Sequence, residues 1–287
     1  MKQWLLAIRP KTLGISLVPV LVGSTLAWTE TTQFSWLTAV AALLGALLIQ
    51  IGTNLHNDAA DFERGADTKD RMGPARATAE GWFTATEVKR AAYLSFGSAF
   101  LIGIYLAWIG GWPIIALGLI SLTAGYAYTG GPRPIAYSAS GELFVFLFFG
   151  LAAVMGSYYI QTLTLSLNAF AAACAVGFLA AAVLLVNNYR DLDTDRIAHK
   201  LTLVSHLGRG RARILYGVLM LTPFLLPLTL SRDTLGIWLP LFALPRAVIL
   251  LQRFISTPAG PGFNQLLAHT AQLQLMFGLL VSLGLLI

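Results

Sequence analysis

Nine apolar runs divide this chain, at roughly residues 13–28, 34–55, 91–109, 113–128, 143–160, 165–186, 214–230, 235–251 and 266–287. A helix that crosses ~30 Å of hydrocarbon at 1.5 Å per residue needs ~20 residues. Runs of only 16 or 17, such as 113–128 and 235–251, must borrow flanking polar residues or sit inside a bundle. Glycine (Gly23, Gly45, Gly103, Gly118, Gly177) and proline (Pro19, Pro223, Pro227, Pro240, Pro245) recur within the runs. Both allow close helix approach and kinks in a membrane bundle. Gly110-Gly111-Trp112 and Ser231–Thr234 leave very short connections, which implies antiparallel neighbours. The pattern predicts an all-α fold, a polytopic transmembrane bundle of nine helices, with residues 1–287 forming one membrane-embedded domain.

Composition agrees. Of 287 residues, 56% are hydrophobic and 11% charged, and the mean hydropathy is +0.71. A soluble domain carries about 25% charged residues, so lipid must cover much of this surface. Met1-Lys2-Gln3-Trp4 offers no small-residue cleavage site, and the run after Pro10 reads as a retained first span. The single cysteine, Cys174, lies in an apolar run and reads as a small buried residue, without a disulfide framework or a cysteine metal site. A net charge of +6 would suit nucleic acid, but its placement excludes that partner. With the N-terminus cytoplasmic, each of the 19 basic residues except Arg232 falls at a cytoplasmic end, as the positive-inside rule requires. The partner is the lipid bilayer, and the pattern carries no signal for an oligomeric state.

The acids run against this arrangement. Seven of 13 lie between Asp58 and Glu87 and three between Asp191 and Asp195, all on the cytoplasmic side. The inner leaflet is itself anionic, so these carboxylates need a compensating cation. A faint repeat sharpens the point: Asn54 and Asp58 recur as Asn187 and Asp191, each pair after an outside-to-inside span. Both clusters therefore end parallel helices and open on one face. On a helix, 54, 58 and 61 share a face, as do 188, 191 and 195. Two such rows of carboxylate and amide oxygens suit Mg2+, which takes a few carboxylates and completes its octahedron with water and phosphate. Interleaved Arg64, Lys69, Arg71, Arg76, Arg190 and Lys200 can grip the remaining phosphate oxygens. Polar side chains at membrane depth, Asn54 and Asn187-Asn188, point to function by default.

These residues carry a resemblance. Arg9-Pro10-Lys11-Thr12-Leu13, Asn54 to Gly81, Tyr128-Thr129-Gly130-Gly131-Pro132, Gly141-Glu142 and Asn187 to Gly208 together resemble the intramembrane aromatic prenyltransferase superfamily. Within it the chain is similar to the 1,4-dihydroxy-2-naphthoate polyprenyltransferases of menaquinone synthesis. The resemblance implies a Mg2+-dependent enzyme of the bacterial plasma (inner) membrane. Its substrates would be a polyprenyl diphosphate and an aromatic acid. Diphosphate leaves, the naphthoate ring attacks the allylic cation, and carbon dioxide is lost to give a demethylmenaquinol. It implies Asp58, Asp61, Asp191 and Asp195 in catalysis, and Asn54, Asp67 and Asn188 with them around the metal. Lys11, Arg64, Arg71, Arg76, Arg133, Arg190 and Lys200 would hold the diphosphate. His199 and Leu201 depart from the more polar pattern expected there.

Phe144, Phe146, Phe148, Phe149, Tyr158 and Tyr159 of the fifth span either pack or line the prenyl channel and face the cation. Lys11 either snorkels to the interface or meets a substrate anion; Arg133, between two prolines, either anchors topology or touches substrate. Arg246 reads as snorkelling, and Glu142 as a helix N-terminal residue or a catalytic one. The four histidines show no ligand spacing. Two rivals remain: another aromatic acceptor such as 4-hydroxybenzoate, and a cation-coupled transporter with two acidic half-sites.

Overall fold

The computed structural model describes residues 2–31, 34–66, 73–230 and 234–287, apart from the side chain of Lys11. Its elements are helices: α1 (Lys2–Ala7), α2 (Pro10–Thr31), α3 (Trp36–Glu63), α4 (Ala85–Gly110) and α5 (Trp112–Ala127). There follow α6 (Gly141–Thr162), α7 (Leu167–Arg190), α8 (Leu192–Ile197), α9 (Leu203–Leu228), α10 (Leu235–Ser256) and α11 (Phe263–Leu286). Eight of these are long and apolar enough to cross a membrane, and α5, with 16 residues, is a shorter ninth. They correspond in order to the nine apolar runs.

Most helices extend past their runs because polar groups close their ends. Ser35 accepts from the Thr38 N–H at the start of α3, and Thr84 and Glu87 form a reciprocal capping box on α4. Helix α3 has 28 residues, about 42 Å at the standard rise, and so carries its acidic end beyond the ~30 Å hydrocarbon layer. The prolines act where the missing N–H dictates. Residues Thr222–Leu228 and Leu235–Ala243 wind as tight 3-10 turns around Pro223, Pro227 and Pro240. Gly208, at φ 71°, breaks the first turn and a half of α9 from the rest.

The core centres on α7, whose small residues (Ala169, Ala172, Ala173, Ala180, Ala182) are buried. Helix α6 lies very close to it. A Cβ on Gly150 would come within 2.6 Å of the Ala173 carbonyl oxygen and 2.7 Å of the Gly177 Cα, so only glycine permits this crossing. Between Phe146 and Met155, α6 is π-helical, a winding often found beside functional sites. Helices α3, α4 and α5 bury little against the core. They wall a cavity instead.

Candidate active site

That cavity holds about 790 Å³ and is lined by α2, α3, α4, α5, α6, α7 and α8. Most of its wall is apolar, and its polar end gathers residues from both acidic clusters. Asn54, Asn57 and Asp61 of α3 line it, as do Asn187, Asn188 and Asp191 from the end of α7 and Thr194 and Asp195 of α8. Arg9, Arg76 and Lys200 bring positive charge to the same end, and Tyr128 an aromatic hydroxyl.

Each row is held by its own partners. Asp61, buried, accepts from Arg76 at 3.0 Å and from the Tyr137 hydroxyl at 3.0 Å. The Tyr137 ring lies 5.3 Å from the Arg64 guanidinium and 5.9 Å from the Lys200 ammonium, cation–π distances that fix the ring between two helical clusters. Asn54 donates to the Ile8 carbonyl at 3.0 Å, tying α3 to the turn before α2. Asp191 takes a two-pronged contact from Arg190 at 2.6 and 2.7 Å. Asp195 pairs with Lys200 at 3.3 Å, while its Oδ2 is buried without a partner. Burial pushes the Asp195 carboxyl up to about 6; Lys200 opposes that rise and Asp191 adds to it.

Several predicted residues lie elsewhere. Asp58 does not line the cavity: its carboxylate accepts from the Ala77 N–H at 2.8 Å, the Thr78 N–H at 3.0 Å and the Thr78 hydroxyl. It ties the 76–80 turn to α3. The reason is helical phase. At about 100° per residue, Asn54, Asn57 and Asp61 span the cavity face, and Asp58 falls on its flank, where the turn packs. Arg64 donates to the Thr129 carbonyl and, at 2.6 Å, to the Gly131 carbonyl, which makes it a clamp on the loop after α5. Arg190 is spent on Asp191, on Asn187 at 2.8 Å and on Asn264 at 2.7 Å. Arg133 is exposed and off the cavity wall. Asp67, Lys69 and Arg71, and the Lys11 side chain, lie outside the described residues. Among the described residues, no three carboxylate, imidazole or thiol groups converge on one cation position. Arginines face Asp61 and Asp191, and amide oxygens supply much of the remaining donor set.

That donor set still fits a hard cation. Asn57 Oδ1 and Asp195 Oδ2 are buried oxygens without a partner, and both residues line the cavity. Magnesium needs only one or two protein carboxylates beside water and phosphate. Of the fifth-span aromatics, Phe144, Phe148 and Phe149 face the cavity. Phe146 packs on Phe178, Tyr158 donates to Glu30 at 2.7 Å, and Tyr159 reaches the Gly110 carbonyl.

The model of the UbiA prenyltransferase family matches residues 16–259. The 1,4-dihydroxy-2-naphthoate octaprenyltransferase of Escherichia coli strain K12 is 37% identical over 294 residues, covering 99% of this chain and 94% of its own. The enzyme of the same name from Haemophilus influenzae is 33% identical over 297 residues, with 100% and 96% covered. Among solved structures, a UbiA homologue from Archaeoglobus fulgidus bound to DMAPP and Mg2+ superposes with a TM-score of 0.70 at 18% identity. That match covers 97% of this chain and 98% of the other, and at that identity it establishes the fold. With a family model spanning most of its length and relatives a third identical from end to end, the chain belongs to the UbiA prenyltransferase family.

Proposed function

We propose that this chain transfers a polyprenyl group from its diphosphate to 1,4-dihydroxy-2-naphthoate, with loss of carbon dioxide, to give a demethylmenaquinol. In this reading residues 1–287 form one domain of a bacterial inner membrane, with the N-terminus cytoplasmic. The observation that carries it is an apolar cavity whose polar end is shared by the acidic clusters of α3 and α7–α8. Relatives named for the naphthoate, aligned along nearly the whole chain, support the acceptor. A transporter would need acids near mid-membrane, whereas here they sit with Arg76 and Lys200 at one end of the cavity.

Asp61, Asp191 and Asp195, with the oxygens of Asn54, Asn57 and Asn188, would hold Mg2+. When bound, the ion supplies positive charge to the departing diphosphate. Arg9, Arg76 and Lys200 line the same end and can take up phosphate oxygens as the allylic C–O bond breaks and its electron pair leaves with the diphosphate. Phe144 and Phe148, stacked with centroids 5.9 Å apart, line the cavity, and aromatic rings there would favour the positive charge that develops on the allylic group. Apolar walls from Ile49 to Leu122 and Val183 exclude water that would capture the cation, and they take the prenyl chain. The ring then attacks the allylic carbon, and its carboxylate is lost as carbon dioxide.

Purified protein, labelled polyprenyl diphosphate, Mg2+ and a panel of aromatic acids test this. The naphthoate should give prenylated product and release its carboxyl carbon, whereas 4-hydroxybenzoate and homogentisate should give none. Product from 4-hydroxybenzoate alone would replace the acceptor. Ion flux into vesicles without any prenylated product would replace the enzyme.

A further inference from the structure

Glu142 opens α6, and its carboxylate also engages the neighbouring helix. Ser140, at the cap position, makes no side-chain bond to the helix, and the Glu142 carboxylate reaches across to α7. Glu142 is 4% exposed, and its Oε1 accepts from Nδ2 of Asn188 at 2.9 Å. Asn188, equally buried, lines the cavity beside Asn187 and Asp191.

An amide side chain presents two donors on one side and an acceptor on the other, and a carboxylate can only accept. Contact with Glu142 therefore selects one of the two flips of the Asn188 amide. The NH2 group turns to α6 and the carbonyl oxygen turns away from it. We propose that Glu142 is a positioning residue, which holds Asn188 with Oδ1 toward the cation and its NH2 out of the site. The opposite flip would aim two N–H groups at a divalent ion. This inference rests on the metal reading above and assigns a role to a residue outside the ligand set. Partners that orient a ligand in this way typically govern metal affinity about 10–100-fold.

The test reads metal binding directly, by EPR titration of the full-length protein in detergent with Mn2+ alone. Glu142→Ala should weaken Mn2+ binding about tenfold or more. Glu142→Asp, which keeps the charge but loses reach, should weaken it similarly. Glu142→Gln, whose carbonyl can still accept from Asn188, should bind close to wild type. Should the alanine variant fail to fold, the aspartate and glutamine variants decide the matter between them. Wild-type affinity in the aspartate or alanine variant would overturn the proposal, as would a glutamine variant that loses as much as alanine. A wild-type protein that takes up no Mn2+ would sink the metal reading itself, which is a separate result.

Discussion

Replacing Asp195 by asparagine should lower the turnover of prenyl transfer about 10²-fold or more while the thermal midpoint of the purified protein stays level or rises. The side chain is buried, has one oxygen without a partner and lines the cavity's polar end. Burial opposes its charge, so the neutral isostere relieves a cost in the folded state and removes only the electrostatic function. Lys200 keeps an amide oxygen to bond. Asp61→Asn, on the other helix, should lose turnover comparably, although Arg76 and Tyr137 then share a weaker acceptor. Rates measured at saturating substrate, beside thermal unfolding of the same preparations, check both halves. A fast Asp195→Asn enzyme would remove that carboxylate from the chemistry.

Asp58→Ala should do the reverse. Three donors of the 76–80 turn end on this carboxylate, and Ala77 and Thr78 are buried. Truncation leaves two buried N–H groups without an acceptor, at about 1–3 kcal/mol each. The variant should unfold well below the wild-type temperature. The fraction that stays folded should transfer prenyl groups at a near-normal rate, with its Mg2+ half-saturation unchanged. A stable but inactive Asp58→Ala protein would return Asp58 to the catalytic set. The contrast matters because Asp58 and Asp61 look alike in sequence, three residues apart in one acidic cluster.

That pair also marks how far the sequence could be read. Hydropathy alone located the eight candidate spans and the shorter α5, since apolar length is a one-dimensional property. The convergence of the two clusters was legible too, because both follow spans that run in the same direction. Helical phase was not. Asn57, Asp58 and Asp61 are separated by steps of about 100°, and a tilt of one side-chain width exchanges Asn57 for Asp58 on the cavity face. The places of Arg64 and Arg190, off the cavity lining, were not legible for a related reason. A basic residue beside an acidic motif can serve phosphate or the fold, and only coordinates reveal the Thr129 and Gly131 carbonyls, or Asn264, that take up its donors. Arg9, which lines the cavity, registered only as a topology marker and part of a motif. Tyr137 gave no signal, because a tyrosine in a loop carries no charge pattern. The Pro134–Tyr137 segment brings its hydroxyl to Asp61 from 76 residues away.

The most direct test of a shared metal–diphosphate site uses Mn2+ as a spectroscopic probe, with a non-hydrolysable prenyl diphosphate analogue present. EPR titration of the wild type, Asp61→Asn and Asp195→Asn should show one Mn2+ signal, strengthened by the analogue, that weakens about tenfold or more in each variant, although the substitutions lie on different helices. Wild-type Mn2+ affinity in either variant would mean that the two clusters do not serve one ion-bound diphosphate.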